Sequence, residues 1–386
     1  MRKDALHPIG ALDPAYLSAA TLRGTWYEID LGAIRRNYRA LRNHLATRVR
    51  IYACLKRNGY GCGVGPVART LALEGVSGFA VASVLDAVEI RASGVREAIL
   101  LYPGATPLSV ALLEDLDLTV TISSLDEVAQ WQSVARRLPV CIKIDLGFFR
   151  AGATPGTAID LISAVRGSQT LCLQGIYAHV SELPGQTRSH ALAQLSRMNA
   201  LLKELGRSGL PAPMTMMSST ESVLTYPEMD FDAVDPGALF FGLPEAVYPV
   251  RTVDLEPALK KISTSLVSVK AIDSSLGPLP ELPGFRDGMR IGVIGMGWGD
   301  GVPRNLQTPS FALVRGRRAQ LLPPAHLEHL RIDLTQIPDA CFGDEVVLLG
   351  CQKGERISLE ELAKDWGTDA VGLYANLRDH VPRIYT

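Results

Sequence analysis

Short runs of β-branched and other apolar residues recur along the first two thirds of the chain. There are eight, at residues 48–56, 78–83, 97–102, 118–123, 139–145, 174–179, 213–218 and 231–237. Nearly continuous apolar runs are typical of parallel strands that are buried on both faces. The longer segments between them have helical periodicity; in VLDAVEIRAS, for example, Leu85, Val88 and Ile90 fall on one side. The pattern therefore predicts eight strand–helix units.

Eight consecutive units favour a closed (β/α)₈ barrel, an α/β fold. The alternative is an open doubly wound sheet, which usually has fewer strands and a glycine-rich turn after the first one. The segment GCGVG (61–65) does follow the first strand here, but it lacks the G-x-G-x-x-G spacing. We therefore expect the barrel.

Beyond about residue 250 the pattern changes to short alternating runs that are separated by Gly, Pro and Asp. Such runs predict an antiparallel β domain. Within it, ISLEELAKDWG predicts one helix, with Ser358 as its N-cap and Glu361 placed for a capping box.

Charge and cysteine content exclude several classes of function. The 386 residues include 39 Lys and Arg against 40 Asp and Glu, so the net charge is −1. A near-neutral chain has no general attraction to nucleic acid or to an anionic membrane. No apolar run approaches the ~20 residues of a membrane span, and the N-terminus lacks a signal-peptide core. Six cysteines without a Cys-x-x-Cys pair indicate neither a disulfide framework nor a metal site. We expect a cytoplasmic protein without a metal.

Chemistry-bearing side chains follow the predicted strands, where barrel enzymes place their reacting groups. Lys56 closes the first run, and a lysine there is costly unless it is paired, chemically used or extended to the barrel rim. Hydroxyl groups and glycine amides are suited to phosphate. A lysine beside such a cradle suggests a Schiff base with pyridoxal phosphate. The other strand-end groups are Asp145 with Arg150, His179, Ser218 to Thr220, and Asp235 with Gly237.

At these positions the sequence resembles the alanine racemase family. YACLKRNGYGCG is similar to its cofactor-lysine motif Lys-x-Asn-x-Tyr-Gly-x-Gly, and KIDLGFFRAG to its Lys-x-Asp-x-Gly-x-x-Arg-x-Gly motif. TWYEIDLGAIRRNY and GWGDGVPR also follow the family, and the likeness runs in order from residue 25 onward. The resemblance implies a pyridoxal-phosphate barrel over residues 35–250. It also implies a β-rich domain, residues 1–34 plus 251–386, that completes the partner's active site in a head-to-tail homodimer.

The resemblance implies a role for each matching residue. Lys56 would hold the cofactor as an internal aldimine and act as one acid/base. Arg150 would hydrogen-bond the cofactor's phenolic oxygen, and Lys143 matches a lysine that is often carbamylated and orients that arginine. His179 would lie beside the ring. The remaining residues would bind the phosphate: Tyr60, Ser219 and Thr220, with the backbone amides of Gly237 and Ala238.

Asp235 is the first departure from the family. The family's Val-Arg-Pro-Gly is Val-Asp-Pro-Gly here, so an acid replaces the arginine that faces the pyridine nitrogen. An arginine keeps that nitrogen unprotonated, whereas an aspartate stabilises a pyridinium. Asp235 therefore favours chemistry through a long-lived quinonoid. The alternative is drift at a position that no longer matters.

The second departure concerns the tyrosine from the partner subunit that serves as the opposite base. It should fall within residues 274–285, which contain no tyrosine; gapless counting places Leu279 there, and the nearest preceding tyrosine is Tyr248. Losing this base would remove roughly 10²–10⁴-fold of acid–base catalysis. Candidate replacements are His326, Glu328, His329, Asp379 and His380.

The two departures lead to one main hypothesis and two alternatives. The main one is an enzyme acting at Cα of an amino acid that has diverged toward transamination, decarboxylation, elimination or Cα–Cβ cleavage. The first alternative is an alanine-type amino-acid racemase with a substitute second base. The second is a non-catalytic protein that binds pyridoxal phosphate.

Overall fold

The computed structural model describes residues 24–180, 188–243, 249–279, 281, 284–306 and 309–386. Residues 1–23, for which the sequence predicts no signal peptide, lie outside this range, as does Tyr248. The chain divides into two compact units. One comprises residues 31–258, and the other comprises residues 259–386 with the described residues before 31, including strand β1 (Trp26–Ile29).

The first unit is built around a closed barrel of eight parallel strands. Each strand pairs with the next in chain order, and β9 pairs with β2 to close the ring. The predicted barrel fold is confirmed. The strands are β2 (Arg50–Cys54), β3 (Gly78–Val81), β4 (Ala98–Leu101), β5 (Leu118–Ile122), β6 (Leu138–Lys143), β7 (Leu171–Tyr177), β8 (Met214–Ser218) and β9 (Ala233–Val234).

Helices connect the strands. They are α1 (Leu31–Arg42), which precedes the barrel, and then α2 (Val64–Leu73), α3 (Val84–Ala92), α4 (Val110–Asp115), α5 (Leu125–Gln132), α6 (Pro155–Gly167), α7 (Arg188–Arg207) and α8 (Thr220–Thr225). Among the helices of the described part of the chain, none is both long and apolar enough to cross a membrane.

The barrel interior combines large side chains on some strands with small ones on others. Tyr52 and Met214 pack against a buried cluster that includes Cys54, Cys141 and Tyr177. A Cβ at residue 78 would lie 2.6 Å from the Tyr52 ring, and one at residue 175 would lie 2.7 Å from the carbonyl oxygen of residue 214. Glycine at both positions therefore makes room for this packing.

The residues that α3 buries are not all the ones that its sequence periodicity predicts. Leu85 and Val88 are exposed, whereas Asp86, Ala87 and Ile90 are buried. The reason is that Asp86 Oδ1 accepts a hydrogen bond from the backbone N–H of Asn58 at 3.1 Å. A polar contact therefore sets the rotation of this short helix.

The second unit is β-rich, as predicted. Its sheet has the order β16-β15-β12-β13-β14-β11-β10-β1-β17, and β15 also pairs with β10, so six strands form a ring of pairings. β1 and β17 are parallel and the other pairs are antiparallel. The strands after β1 are β10 (Leu259–Ala271), β11 (Arg290–Ile294), β12 (Phe311–Val314), β13 (Arg317–Leu322), β14 (Leu330–Asp333), β15 (Glu345–Gln352), β16 (Glu355–Ile357) and β17 (Arg383–Tyr385).

Two short helices complete this unit, α9 (Leu359–Asp365) and α10 (Ala370–Ala375). Ser358 caps α9 as predicted, because its hydroxyl accepts from the backbone N–H of Glu361 at 3.1 Å.

Candidate active site

The site begins just beyond β2, where Lys56 opens a helical turn, Lys56–Tyr60. Residues 57, 58, 59 and 60 all have positive φ, between 53° and 59°. This left-handed conformation costs an L-residue roughly 1–2 kcal/mol, and only Gly59 adopts it freely. Arg57, Asn58 and Tyr60 are therefore held in a strained turn directly after the lysine.

Hydrogen bonds around Asn58 hold this turn. Its side-chain Oδ1 accepts from the backbone N–H of Val64 at 2.7 Å, and its own backbone N–H donates to Asp86 at 3.1 Å. Its carbonyl oxygen accepts from the N–H of Gly63 at 2.9 Å. Strained backbone of this kind persists only where its surroundings fix it, and such strain concentrates at functional sites.

A cradle of backbone and hydroxyl groups lies beside the turn. Thr220 Oγ1 accepts from the backbone N–H groups of Gly237 and Leu239, at 3.2 and 3.3 Å. The stretch between them carries Ala238, which begins the 3₁₀ turn Ala238–Phe241, and Ser219 is the N-cap residue of α8. The hydroxyl-bearing start of α8 and the Gly237 segment therefore meet.

Gly237 has no room for a side chain. An added Cβ would lie 2.4 Å from the Tyr60 hydroxyl and 3.0 Å from the carbonyl oxygen of Cys54. The Tyr60 ring packs against Phe241 at 4.9 Å between centroids, which fixes its position. Tyr60 Oη consequently lies directly against the Gly237 backbone, in the same cradle as Thr220.

Asp235 is buried next to this cradle, and a tyrosine donates to it. Tyr102 Oη lies 2.7 Å from Asp235 Oδ2. Burial raises the pKa of Asp235 to about 6, although the hydrogen bond from Tyr102 and the charges of Lys56 and Lys143 oppose that rise. Within the described residues, no hydrogen-bond donor reaches the other carboxylate oxygen, Oδ1, which is also buried.

Two lysines flank the aspartate, each near the face of an aromatic ring. Lys56 Nζ is 5.8 Å from the Tyr102 ring centroid, and Lys143 Nζ is 5.5 Å from that of Tyr177. Burial, followed by the positive charge of Arg150, lowers the pKa of Lys143 to about 8. A sizeable fraction of Lys143 is therefore an uncharged amine at neutral to mildly alkaline pH.

The loop after β6 carries Arg150. Asp145 organises this loop, because its carboxylate accepts from four backbone N–H groups, those of residues 147 to 150. The Arg150 guanidinium is exposed and stacks over the Phe148 ring at 4.2 Å. The Phe148 ring also contacts the His179 ring in an edge-on arrangement, with 5.4 Å between the ring centroids.

His179 is uncharged in this surrounding. Burial is the main cause, and the nearby cations Arg150, Lys56 and Lys143 add to it; together they lower the pKa of His179 to about 3. A neutral imidazole contributes shape and hydrogen bonding here without adding positive charge.

The structure thus brings most of the residues singled out in the sequence to the C-terminal end of the barrel. Sequence reasoning assigned no role to Asn58, which lies in the lysine motif, and did not single out Asp86 or Tyr102. Tyr102 immediately follows β4 but closes an apolar run, so nothing in the sequence distinguishes it from a core aromatic residue, and nothing in the helical pattern marks Asp86. The set at the barrel end comprises Lys56, Tyr60, Lys143, Arg150, His179, Ser219, Thr220, Asp235, Gly237 and Ala238.

The candidate replacement bases lie in the β-rich unit. His380 Nε2 is 2.9 Å from Oδ1 of the buried Asp300, and the backbone N–H of His326 donates to the carbonyl oxygen of His329 at 2.8 Å. Leu279 is 38% exposed, and its neighbours 280, 282 and 283 lie outside the described residues. Over the described part of the chain, no group of three or more His, Cys, Asp or Glu side chains could hold a metal ion.

Comparison with known proteins agrees with this arrangement. The family model for the alanine racemase N-terminal domain matches residues 29–245, and that for the C-terminal domain matches residues 285–385. The alanine racemase of Desulforamulus reducens is 30% identical over 374 residues, covering 93% of this chain and 98% of that one. The alanine racemase of Halothermothrix orenii is 29% identical over 370 residues, covering 94% and 97%.

Solved structures give the same result. The alanine racemase of Bacillus anthracis, with L-Ala-P bound, superposes with a TM-score of 0.85 at 25% identity, over 94% of this chain and 95% of that one. The biosynthetic alanine racemase of Pseudomonas aeruginosa superposes with a TM-score of 0.76 at 27% identity, over 95% and 100%.

A barrel with a lysine and a hydroxyl–amide cradle at its mouth, followed by a β-rich domain, defines the class of pyridoxal-phosphate barrel enzymes. The chain belongs to the alanine racemase family. Enzymes of this family use pyridoxal phosphate, so the cofactor prediction is confirmed.

The residues present fit this cofactor. The Thr220 hydroxyl accepts from the Gly237 and Leu239 amides and keeps its own proton to donate, so together with the Tyr60 hydroxyl beside Gly237 it is suited to the phosphate. The buried Asp235 Oδ1 is suited to a donor such as a protonated ring nitrogen. Lys56, whose Nζ lies 5.8 Å from the Tyr102 ring centroid, offers a primary amine of the kind that bonds the aldehyde.

Proposed function

We propose that this protein is an amino-acid racemase of the alanine type that works with pyridoxal phosphate bound at Lys56. The observation that carries the proposal is the cradle of Thr220 and Gly237 beside the strained turn that begins with Lys56. Relatives at 29% and 30% identity, both named alanine racemases, support it over more than nine tenths of the chain. They favour racemisation over the diverged chemistry and over a non-catalytic role.

The residues of the site have different roles in the proposed reaction. Bound pyridoxal phosphate withdraws electrons from Cα of an attached amino acid and so acidifies the Cα proton. Lys56 Nζ exchanges that proton on one face. Arg150 would hydrogen-bond the phenolic oxygen of the bound cofactor, with Lys143 orienting it. His179, which is neutral, would lie beside the cofactor ring without repelling a protonated Lys56.

Inversion at Cα needs a proton donor on the opposite face. Because residues 274–285 contain no tyrosine, another group has to serve, and we assign this role to one of the acids and bases of the β-rich unit. The candidates are His326, Glu328, His329, Asp379 and His380. We further propose that this unit serves the partner's site in a head-to-tail homodimer.

The proposal is tested by incubating the cofactor-loaded protein separately with L-alanine and D-alanine and separating the enantiomers by chiral chromatography. Both incubations should approach an equal mixture. Lys56→Ala should abolish the interconversion and also the cofactor that borohydride fixes to the protein. Lys203→Ala, at an exposed lysine of α7, is the matched control and should change neither. Alanine that stays optically pure in both incubations would refute racemisation of this substrate.

One observation favours a second candidate function. Asp235 is an acid where the family has an arginine, and it is buried with one oxygen lacking a donor among the described residues. An aspartate there favours a protonated ring nitrogen, which makes the ring a stronger electron sink. Transamination, decarboxylation, elimination and Cα–Cβ cleavage benefit from that. Formation of a keto acid, an amine or an aldehyde from an amino acid would support this second function.

A further inference from the structure

Tyr102, which is partly buried, and Asp235, which is buried, are hydrogen-bonded to each other at the C-terminal end of the barrel. Tyr102 follows β4 and Asp235 follows β9, so 133 positions of sequence separate the two side chains. The hydroxyl of Tyr102 donates to Asp235 Oδ2 at 2.7 Å, and the Asp235 side chain is almost completely buried. The second oxygen, Oδ1, is buried too and receives no donor from the described residues.

The direction of this hydrogen bond is fixed. Burial, together with the adjacent Asp235, raises the pKa of Tyr102 well above its ordinary value, so the phenol keeps its proton. A protonated phenol facing a carboxylate can only donate to it. The bond therefore occupies Oδ2 and limits rotation of the carboxylate about its last side-chain torsion.

Without Tyr102 the carboxylate would have other partners. Lys56 and Lys143 both act electrostatically on Asp235, and the thiol of Cys54 is near Tyr102 as well. In the cofactor-free, unmodified protein, an aspartate that was free to rotate would turn toward one of the two lysine amines, because a paired buried charge is far more stable than an unpaired one. The bond to Tyr102 opposes that rotation.

We infer that Tyr102 is a positioning residue that holds Asp235 so that Oδ1 accepts a hydrogen bond from the protonated ring nitrogen of pyridoxal phosphate. This inference rests on the proposed function only in requiring the cofactor at Lys56. It does not depend on which reaction follows. Tyr102 thereby sets how strongly this enzyme protonates its cofactor, a property in which an aspartate differs from the arginine of the family.

The experiment is ¹⁵N NMR of the holoenzyme reconstituted with pyridoxal phosphate that is labelled at the ring nitrogen. The ring nitrogen of the wild-type enzyme should resonate in the pyridinium range and stay there from about pH 6 to about pH 8, since its proton is shared with a buried carboxylate. In Tyr102→Phe the resonance should move toward the unprotonated range, and cofactor affinity should fall roughly tenfold. Tyr52→Phe is the matched control, because it removes a hydroxyl from a tyrosine that packs against the same core cluster, and it should behave as the wild type.

Asp235→Asn provides a second test that does not depend on whether the Tyr102→Phe variant folds. With its oxygen held by Tyr102, the amide would present N–H groups to the ring nitrogen, which should then be unprotonated. In that background Tyr102→Phe should produce little further shift, because the two changes act through one contact.

The outcomes separate this inference from the proposed function. A pyridinium signal in Tyr102→Phe that equals the wild-type signal would overturn the role of Tyr102 and leave the racemase proposal untouched. An unprotonated nitrogen in the wild type, or a protonated one in Asp235→Asn, would overturn the contact with Oδ1. Failure of the wild-type protein to bind the cofactor at all would instead contradict the proposed function.

Discussion

Asn58 Oδ1 accepts a hydrogen bond from the backbone N–H of Val64 at 2.7 Å, across the left-handed turn that follows Lys56. This contact joins the turn to the first residue of α2, so the position of the lysine depends on an amide side chain two residues away. Asparagine is also among the residues that best tolerate positive φ. Asn58 therefore both adopts the strained backbone conformation and accepts the hydrogen bond that holds the turn.

Asn58→Ala should weaken both folding and cofactor binding. The change leaves the partly buried N–H of Val64 without its acceptor, which costs about 1–3 kcal/mol. We expect a lower free energy of unfolding in urea and about tenfold weaker binding of pyridoxal phosphate by fluorescence titration. Asn199→Ala, at an exposed position of α7, is the control. Equal cofactor affinity in the two variants would contradict the role of Asn58.

Gly237→Ala should damage the phosphate cradle specifically. The added Cβ would lie 2.4 Å from Tyr60 Oη, and the backbone oxygen of Cys54 on the other side cannot move easily. Overpacking of this kind costs typically 1–3 kcal/mol, so affinity for pyridoxal phosphate should fall by about tenfold or more. Gly206→Ala, where an added Cβ meets nothing within 4 Å, should bind the cofactor normally. Normal binding by Gly237→Ala would show that the cradle lies elsewhere.

Asp235→Asn should stabilise the cofactor-free protein, and more so at higher pH. Burial raises the pKa of Asp235 from 3.8 to about 6. The native state therefore binds more protons than the unfolded state between these values, and wild-type stability falls as the pH rises through them. The free energy of unfolding of Asp235→Asn should therefore exceed that of the wild type by a margin that grows by about 1–2 kcal/mol between about pH 5 and about pH 8. Urea unfolding at the two pH values measures it, and a constant difference would contradict the assigned pKa shift.

Lys143 should be the residue that carries a carbamate. Carbon dioxide reacts with an uncharged amine, and burial lowers the pKa of Lys143 to about 8. In ¹³C-labelled bicarbonate at about pH 8, the protein should show a carbamate resonance that is missing in Lys143→Met. The signal should persist in Lys203→Met, which removes an exposed lysine. A resonance that survives in Lys143→Met would assign the modification to another amine.

A homodimer is expected in solution, because the proposed site is completed by a second copy. Light scattering of the cofactor-loaded protein should give twice the mass of one chain, which is 41.7 kDa. Full activity in a species with the mass of one chain would rule out the shared site.

The barrel could be predicted from the sequence because its strands are buried on both faces. All four residues of β3 are buried, so its sequence is a continuous apolar run without alternating polar residues. The β-rich unit was predictable for a different reason: turn residues separate its short strands, and some of them, such as β14, alternate between buried and partly exposed residues. Lys56 and the residues of the cradle could be singled out from the sequence because each lies in a short motif at the end of a predicted strand.

The polar contacts that hold the site could not be predicted in this way. Asp86 is buried because a backbone N–H from a different segment, that of Asn58, donates to it, and helical periodicity contains no information about such a partner. Tyr102 completes an apolar run and is indistinguishable in sequence from a core aromatic residue. Its partner Asp235 lies 133 positions away, so only the closed barrel brings the two together.

Racemisation at Cα can be followed by proton NMR in D₂O, which reports exchange of the Cα proton. The cofactor-loaded protein is incubated with L-alanine or D-alanine, and both the Cα proton and the optical composition are followed. We expect deuterium to enter Cα while the other enantiomer accumulates, from either starting enantiomer. Retention of optical purity with formation of a keto acid, an amine or an aldehyde would contradict it and establish the diverged chemistry that Asp235 favours.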